Sequence, residues 1–351
     1  MRVAVDLRPL LEPFESGVSV YTKAILSELF KDANLDLDLF YQSRNRCEHI
    51  HELFPKARHI QYSNTLFHLR SLFSFPSLPD TYFKQDPDLI WMPDRRPFYK
   101  SKFPLLMTVH DSVPEKFKRS ISLKGRLWHK IFSLKRLLKL VDGVLAPSFT
   151  TASILPRNML SEVTYEGATL SKIAKKPSNA DLITKKPFFF MIAPRDPRKR
   201  FAWFLNAAKK NPKVNFVWVG IKKSDRRFAR TKMDNLANLF LFNEITESEK
   251  LWFYRNAEAL LALSKYEGFD LPVLEAIEAK CSVIMSDISV HNELYRSNFP
   301  LVSNEDDLHL AIYKILNGES SVPKLRGNYT WENASKRTLL FFRRVILHKN
   351  R

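Results

Sequence analysis

Ser264-Lys265-Tyr266-Glu267-Gly268-Phe269-Asp270-Leu271-Pro272-Val273-Leu274-Glu275 sets two carboxylates eight positions apart across a strand-to-helix turn. Upstream, Ala259-Leu260-Leu261-Ala262-Leu263 is an unbroken apolar run of strand length, as in buried parallel strands. Downstream, Pro272 suits the first position of a helix, where a missing N–H costs nothing, and Val273-Leu274-Glu275-Ala276-Ile277 continues it. The pattern predicts Glu267 in a loop at the carboxyl edge of a sheet and Glu275 in the first helical turn. A ligand there meets a loop carboxylate, free backbone N–H groups at the helix start and a second carboxylate one turn in. Paired acceptors of this kind suit vicinal hydroxyls, as in a sugar-nucleotide pocket.

Working outward, apolar runs of strand length recur on both sides of this segment. Val3–Leu7, Leu35–Tyr41, Leu89–Met92, Leu105–Val109 and Gly143–Ala146 form one series, with an amphipathic helix near Val20–Phe30. Phe188–Ile192, Asn215–Val219, Leu239–Phe242, Ala259–Leu263 and Val283–Met285 form a second. Alternation with helical segments indicates α/β architecture, two parallel sheets covered on both faces. At 351 residues the chain exceeds the usual size of a single core. The polar, Pro-punctuated stretch from Ala174 to Pro187 reads as a linker. This predicts domains at residues 1–180 and 181–330, followed by a helix at residues 331–351.

A net charge of +19 and a pI near 9.8 point to an anionic partner, whether nucleotide diphosphate, acidic membrane surface, lipid-linked phosphate or nucleic acid. No nucleic-acid-binding motif is present, so none is expected as partner. Cys47 and Cys281 lack metal-ligand spacing and give no disulfide framework, which fits a reducing cytoplasm. The start Met1-Arg2-Val3-Ala4-Val5-Asp6 lacks the apolar stretch of a signal peptide, and no run approaches the length of a membrane span. Lys116–Lys139 holds seven further Lys and Arg residues and no acid, interleaved with Leu127, Trp128, Ile131 and Phe132 at helical spacing. Such a segment either lies on an anionic bilayer or turns its apolar face to the core. A cytoplasmic protein, peripheral at the inner face of the membrane in the first case, is the expectation.

The Glu267–Glu275 segment resembles the E-x7-E signature of retaining GT-B glycosyltransferases of family 4 (group 1), usually E-G-F-G-L-P-x-L-E-A. The resemblance implies two Rossmann-like domains, the first for the acceptor and the second for the nucleotide sugar, with a cleft between them and a C-terminal helix crossing back. It places Glu267 beside the donor sugar and Glu275 on the ribose hydroxyls. Gly268, Phe269, Asp270 and Leu271, the run between them, would line the donor. Ser16-Gly17-Val18-Ser19-Val20-Tyr21 resembles the family's G-G-x-G-x-Y loop, with Gly17 alone of its glycines kept. His110-Asp111, ending Leu105–Val109, resembles the V-H-D whose His contacts donor sugar or phosphate. Ala193-Pro194-Arg195-Asp196-Pro197-Arg198-Lys199-Arg200 resembles G-R/T-x-x-P-x-K-N/R, putting Lys199 on the phosphate-binding Lys and leaving Arg195 or Arg198 as its partner. Val144–Thr150 resembles V-x-x-S-x-x-T.

The implied activity is retaining, metal-independent transfer of a hexose such as mannose or glucose. The donor would be GDP- or UDP-linked, the acceptor a glycan or lipid-linked saccharide for envelope polysaccharide, with no cofactor. Lys199 would stabilise the departing diphosphate, and His110 and Glu267 would orient the sugar. Asp270 stands where the family has its second Gly, and Ala279-Lys280-Cys281-Ser282-Val283 replaces A-C-G-T-P-V. These departures imply either an unusual donor or a catalytically silent partner subunit that keeps the fold.

Overall fold

The apolar runs form two separate parallel sheets in the computed structural model, which describes residues 1–12, 16–62, 83, 85–98, 101–117, 120–178, 180–221, 236–296, 301–319 and 322–349. Residues 118, 119 and 179, within the Lys116–Lys139 and Ala174–Pro187 segments read above, and residues 350 and 351 of the expected C-terminal helix lie outside the described residues. The chain divides into one unit of Met1–Pro114, Ile121–Gly167 and Tyr329–Arg351 and another of Glu115–Ser120 and Ala168–Asn328.

The first unit orders its strands β3-β2-β1-β4-β5-β6-β7, all parallel. They are β1 (Arg2–Asp6), β2 (Asp36–Ser43), β3 (Arg58–Gln61), β4 (Leu89–Met92), β5 (Leu105–Thr108), β6 (Gly143–Ala146) and β7 (Ser161–Val163). β3 and β7 had no sequence signal, because edge strands with few apolar residues lack the run that marks a buried one. The helix Trp331–Lys349 buries Trp331, Phe341, Phe342 and Val345 in this unit, with Phe342 5.5 Å from the Trp91 ring of β4. Two glycines permit that contact. A Cβ on Gly143 would come within 2.6 Å of Val345, and one on Gly167 within 2.4 Å of the Trp331 nitrogen.

The second unit orders its strands β10-β9-β8-β11-β12, also all parallel. They are β8 (Phe188–Ile192), β9 (Asn215–Val219), β10 (Leu239–Phe242), β11 (Ala259–Ala262) and β12 (Val283–Met285). Phe189, Phe204, Phe216, Trp218, Leu261 and Ile312 are among the side chains of its core. Chain order reverses between β8 and β11, so the loops leaving these adjacent strands diverge and open a crevice at their carboxyl ends. The loops carry residues 193–200 and 263–270.

Three sequence expectations are corrected. The division falls at Gly167–Ala168 rather than near residue 180. The Lys175 amide bonds Ser248 O and the Asn215 amide bonds Ile183 O, which tie the expected linker to the second unit. Glu115–Ser120 joins that unit too, through Ser120 Oγ donating to Asp196 Oδ1 at 2.6 Å and Phe117 stacked on Tyr266. Finally, the helix spans Leu271–Glu278, with Pro272 second and Glu275 just beyond the first turn.

The basic stretch splits in two. Phe132, Leu134, Leu137 and Leu138 enter the core, while the helix Leu123–Ile131 has no buried residue. Leu123 is 79% and Leu127 61% exposed. Leu123, Leu127 and Ile131 thus do not face the core, whereas Trp128 is half-buried against Phe132. No helix among the described residues is long and apolar enough to cross a membrane.

Candidate active site

Four contacts stitch the two crevice loops of the second unit together. The Lys265 amide donates to Arg198 O at 2.9 Å, and Arg198 Nη1 to Tyr266 O at 2.5 Å. Lys199 Nζ lies 2.5 Å from Glu267 Oε1, and Arg198 Nη1 2.7 Å from Oε2. Asp196 caps the short 3-10 turn Pro197–Lys199 by accepting from the Arg198 amide, which fixes where both cations leave the backbone. Arg200, left-handed at φ 48°, then reaches Leu263 O, Ser264 O and Ser286 Oγ through Nη1. The structure therefore brings Lys199, Arg198 and Glu267 into one cluster. Of the two candidate arginines, Arg198 is in it. Arg195 is exposed and lines a neighbouring cavity of about 390 Å³ with Trp203 and Lys265.

Burial pushes the Glu267 carboxyl up, but Lys199 and Arg198 outweigh it and bring it down to about 2. It is thus an ionised anion between two cations, and a diphosphate arriving at the loop would share them.

Glu275, 4% exposed, is bonded through both oxygens: Oε1 from Lys250 Nζ at 2.9 Å and Oε2 from Tyr254 Oη at 2.9 Å. Each carboxylate oxygen has about two lone-pair sites, so acceptor capacity remains for a diol. Burial raises its pKa against the pull of Lys250 and Tyr254. Burial would lower Lys250, but it faces both Glu275 and Glu247, and the two carboxylates raise it. Burial raises the Tyr254 hydroxyl well above its ordinary value, keeping it a donor.

Gly268 and Phe269 are buried and Leu271 half-buried between the two glutamates. Asp270 is left-handed, its Oδ2 lies 2.9 Å from His291 Nε2, and it lines a small cavity together with Lys199.

Two candidates belong to the first unit. Gly17 opens the helix Gly17–Leu29 behind a Ser16–Ser19 capping box, with open space where its Cβ would stand. His110 follows β5. Its Nε2 donates to Pro93 O at 2.8 Å, and its Nδ1 lies 3.4 Å from Glu166 Oε1. The role expected of its imidazole is therefore altered, because both ring nitrogens already face acceptors. Burial alone would lower its pKa, but Glu166, then Asp94 and Pro93 O, raise it and favour the imidazolium. A cavity of about 760 Å³ in this unit, lined by Arg2, Asp36, Asp38 and Arg58, opens where β1, β2 and β3 begin. Open α/β sheets bind ligands at the opposite, carboxyl ends, so it is no candidate for the donor.

Sequence reading missed Lys250, Tyr254, Glu166 and His291. The first two fall four apart behind a Thr246–Glu249 capping box, so a shared helical face was legible, but not what it faced. Glu166 and His291 carried no local signal.

Residues 173–336 match the family described as glycosyl transferases group 1. The chain is 28% identical over 215 residues to the O-antigen chain mannosyltransferase RfbU of Salmonella typhimurium. That match covers 57% of this chain and spans only 57% of the relative's length. Among solved structures, sucrose-phosphate synthase from Thermosynechococcus elongatus superposes with a TM-score of 0.67 at 18% identity, covering 99% of this chain and 96% of the other. HepE of Anabaena, crystallised with UDP and glucose, gives 0.64 at 13% identity over 100% and 97%. At such identities these likenesses show the fold, which is the GT-B fold of glycosyltransferases.

Proposed function

From the group 1 glycosyltransferase kinship of residues 173–336, we propose that the chain transfers a hexose, with retention and without a metal, from a nucleotide diphosphate sugar to a hydroxyl of a glycan or lipid-linked saccharide. The observation that carries this is the Lys199–Glu267–Arg198 cluster at the switch point of a parallel sheet, with Glu275 on the next helix. Negative charge grows on the diphosphate as the glycosidic bond breaks. Two cations held by loop hydrogen bonds meet that charge without reorganising, which is where transfer catalysis gains most. Glu267, kept ionised by the same cations, is placed to orient the sugar, and Glu275 offers its free acceptor sites to the ribose diol.

A relative named for mannosyl transfer in O-antigen supports an envelope saccharide as product, and a fold neighbour crystallised with UDP supports a nucleotide donor. His110, whose imidazolium form Glu166 favours, supports a charge-donating role at the end of β5. The exposed Leu123–Leu127–Ile131 stripe, flanked by Lys124, Arg126 and Lys130, supports attachment to an anionic membrane surface on the cytoplasmic side. The silent-subunit reading took Asp270 and Lys280 as its marks; the Asp270 carboxylate is turned to His291, and Lys280 stands in a left-handed turn at φ 60°.

A thermal-shift panel of UDP, GDP, ADP and their sugar conjugates, without metal, tests the proposal on wild type and Glu275→Gln. A nucleotide at about 100 times its dissociation constant stabilises the fold by about 2.7 kcal/mol. A base-selective shift that the substitution weakens is expected. No shift with any nucleotide sinks the donor-site reading.

A further inference from the structure

Asp270 has φ 74° and ψ 64°, the left-handed conformation that glycine adopts freely and an L side chain does not. It immediately precedes the helix Leu271–Glu278, yet its carboxylate makes no capping bond there. Oδ2 instead lies 2.9 Å from His291 Nε2, with the two side chains 5% and 0% exposed. Ser286 O, a carbonyl that can only accept, lies 2.8 Å from His291 Nδ1, and the Asp270 carboxylate likewise accepts at Nε2, so the ring donates from both nitrogens, as only an imidazolium does, and pairs with Asp270 as an ion. Ser286 Oγ in turn donates to Ala262 O at 3.2 Å and accepts from Arg200 Nη1 at 3.0 Å. The bonds run from the turn at Asp270 back to the end of β11, where the Glu267 loop begins.

We propose that Asp270 and His291 form a positioning pair that holds the loop between Glu267 and Glu275 in a glycine-type turn and keeps a carboxylate out of the donor's place. The proposal rests on reading that loop as the donor site. Without His291, the buried Asp270 carboxylate has no donor at Oδ2 and gains by turning toward water. It would then face the diphosphate with like charge. His291 touches no substrate in this scheme; it acts only through Asp270. A glycine at 270 needs no partner, because neither the left-handed turn nor an anion has to be held.

The test is a crossed set of wild type, His291→Leu, Asp270→Gly and the double variant. Nucleotide affinity is read by calorimetry with UDP and GDP, and amide exchange is followed across residues 268–271. His291→Leu is expected to weaken the preferred nucleotide about tenfold or more and to speed exchange of the turn. The double variant should return to within about threefold of wild type, even where its melting temperature stays low. His291→Gln, which keeps an amide donor, should fall between. Unchanged affinity in His291→Leu, or a double variant no better than the single one, overturns the proposal. If wild type binds neither nucleotide, the donor reading fails by itself and exchange decides the pair. Faster exchange in His291→Leu that glycine reverses upholds it, and equal protection in all four proteins sinks it.

Discussion

Lys250 Nζ lies 2.9 Å from Glu275 Oε1 and 2.9 Å from Glu247 Oε2, so one ammonium on the helix Glu247–Asn256 neutralises the carboxylate that the proposed ribose site depends on. Lys250→Met leaves Glu275 charged, buried and bonded only to Tyr254. Losing one partner of such a pair should cost about 3 kcal/mol in urea denaturation at pH 7. It should also raise the Glu275 carboxyl further. Nucleotide binding by the variant should therefore strengthen as pH rises and the proton leaves, with its midpoint at higher pH than in wild type. A variant as stable as wild type, with the same pH response, would remove Lys250 from the site.

Glu267 sets the response to acid. Its folded pKa of about 2 lies below the ordinary 4.5, so its contribution to stability is present above the ordinary value and is lost as pH falls toward about 2. Glu267→Gln should lower stability at pH 7 and flatten the loss of stability between pH 4.5 and 2. Denaturation midpoints at pH 7, 4 and 3 measure this. Parallel acid curves for the two proteins would contradict it.

His110 titrates in the opposite sense. Its folded pKa is raised above 6.5, so the stabilisation it receives from Glu166 is complete below that value and disappears as pH rises through the folded pKa. Glu166→Gln removes the anion and leaves burial, which favours the neutral ring. In an NMR titration the His110 ring protons should move at lower pH in the variant than in wild type. An unchanged midpoint would mean Glu166 does not hold the proton.

The exposed stripe gives a membrane prediction. Leu127, 61% exposed, should sink into the acyl boundary of an anionic vesicle. Leu127→Glu should forfeit about 2 kcal/mol of apolar burial, roughly thirtyfold in partitioning to phosphatidylglycerol vesicles. Nucleotide shifts should stay unchanged. Wild type that fails to sediment with such vesicles at low salt would end the membrane reading.

Much of this molecule was determined by sequence alone. Ten strands and the helix after the first loop were legible, because buried parallel strands are unbroken apolar runs; the resemblance placed Lys199 and Glu267 separately on the donor, and their pairing was not in the sequence reading. β3, β7 and the exact start of the helix at Leu271 were not, since edge pairing and a left-handed turn depend on what lies alongside. Only the tertiary structure decided which arginine joins Lys199, because the cap at Asp196 orients Arg198 while Arg195 remains exposed. It also decided what Asp270 does. In sequence that residue is a carboxylate in a glycine's place; in the fold His291, twenty-one residues on, takes the carboxylate inward. Long-range partners of buried charges are set by packing, and no local pattern in the chain encodes them.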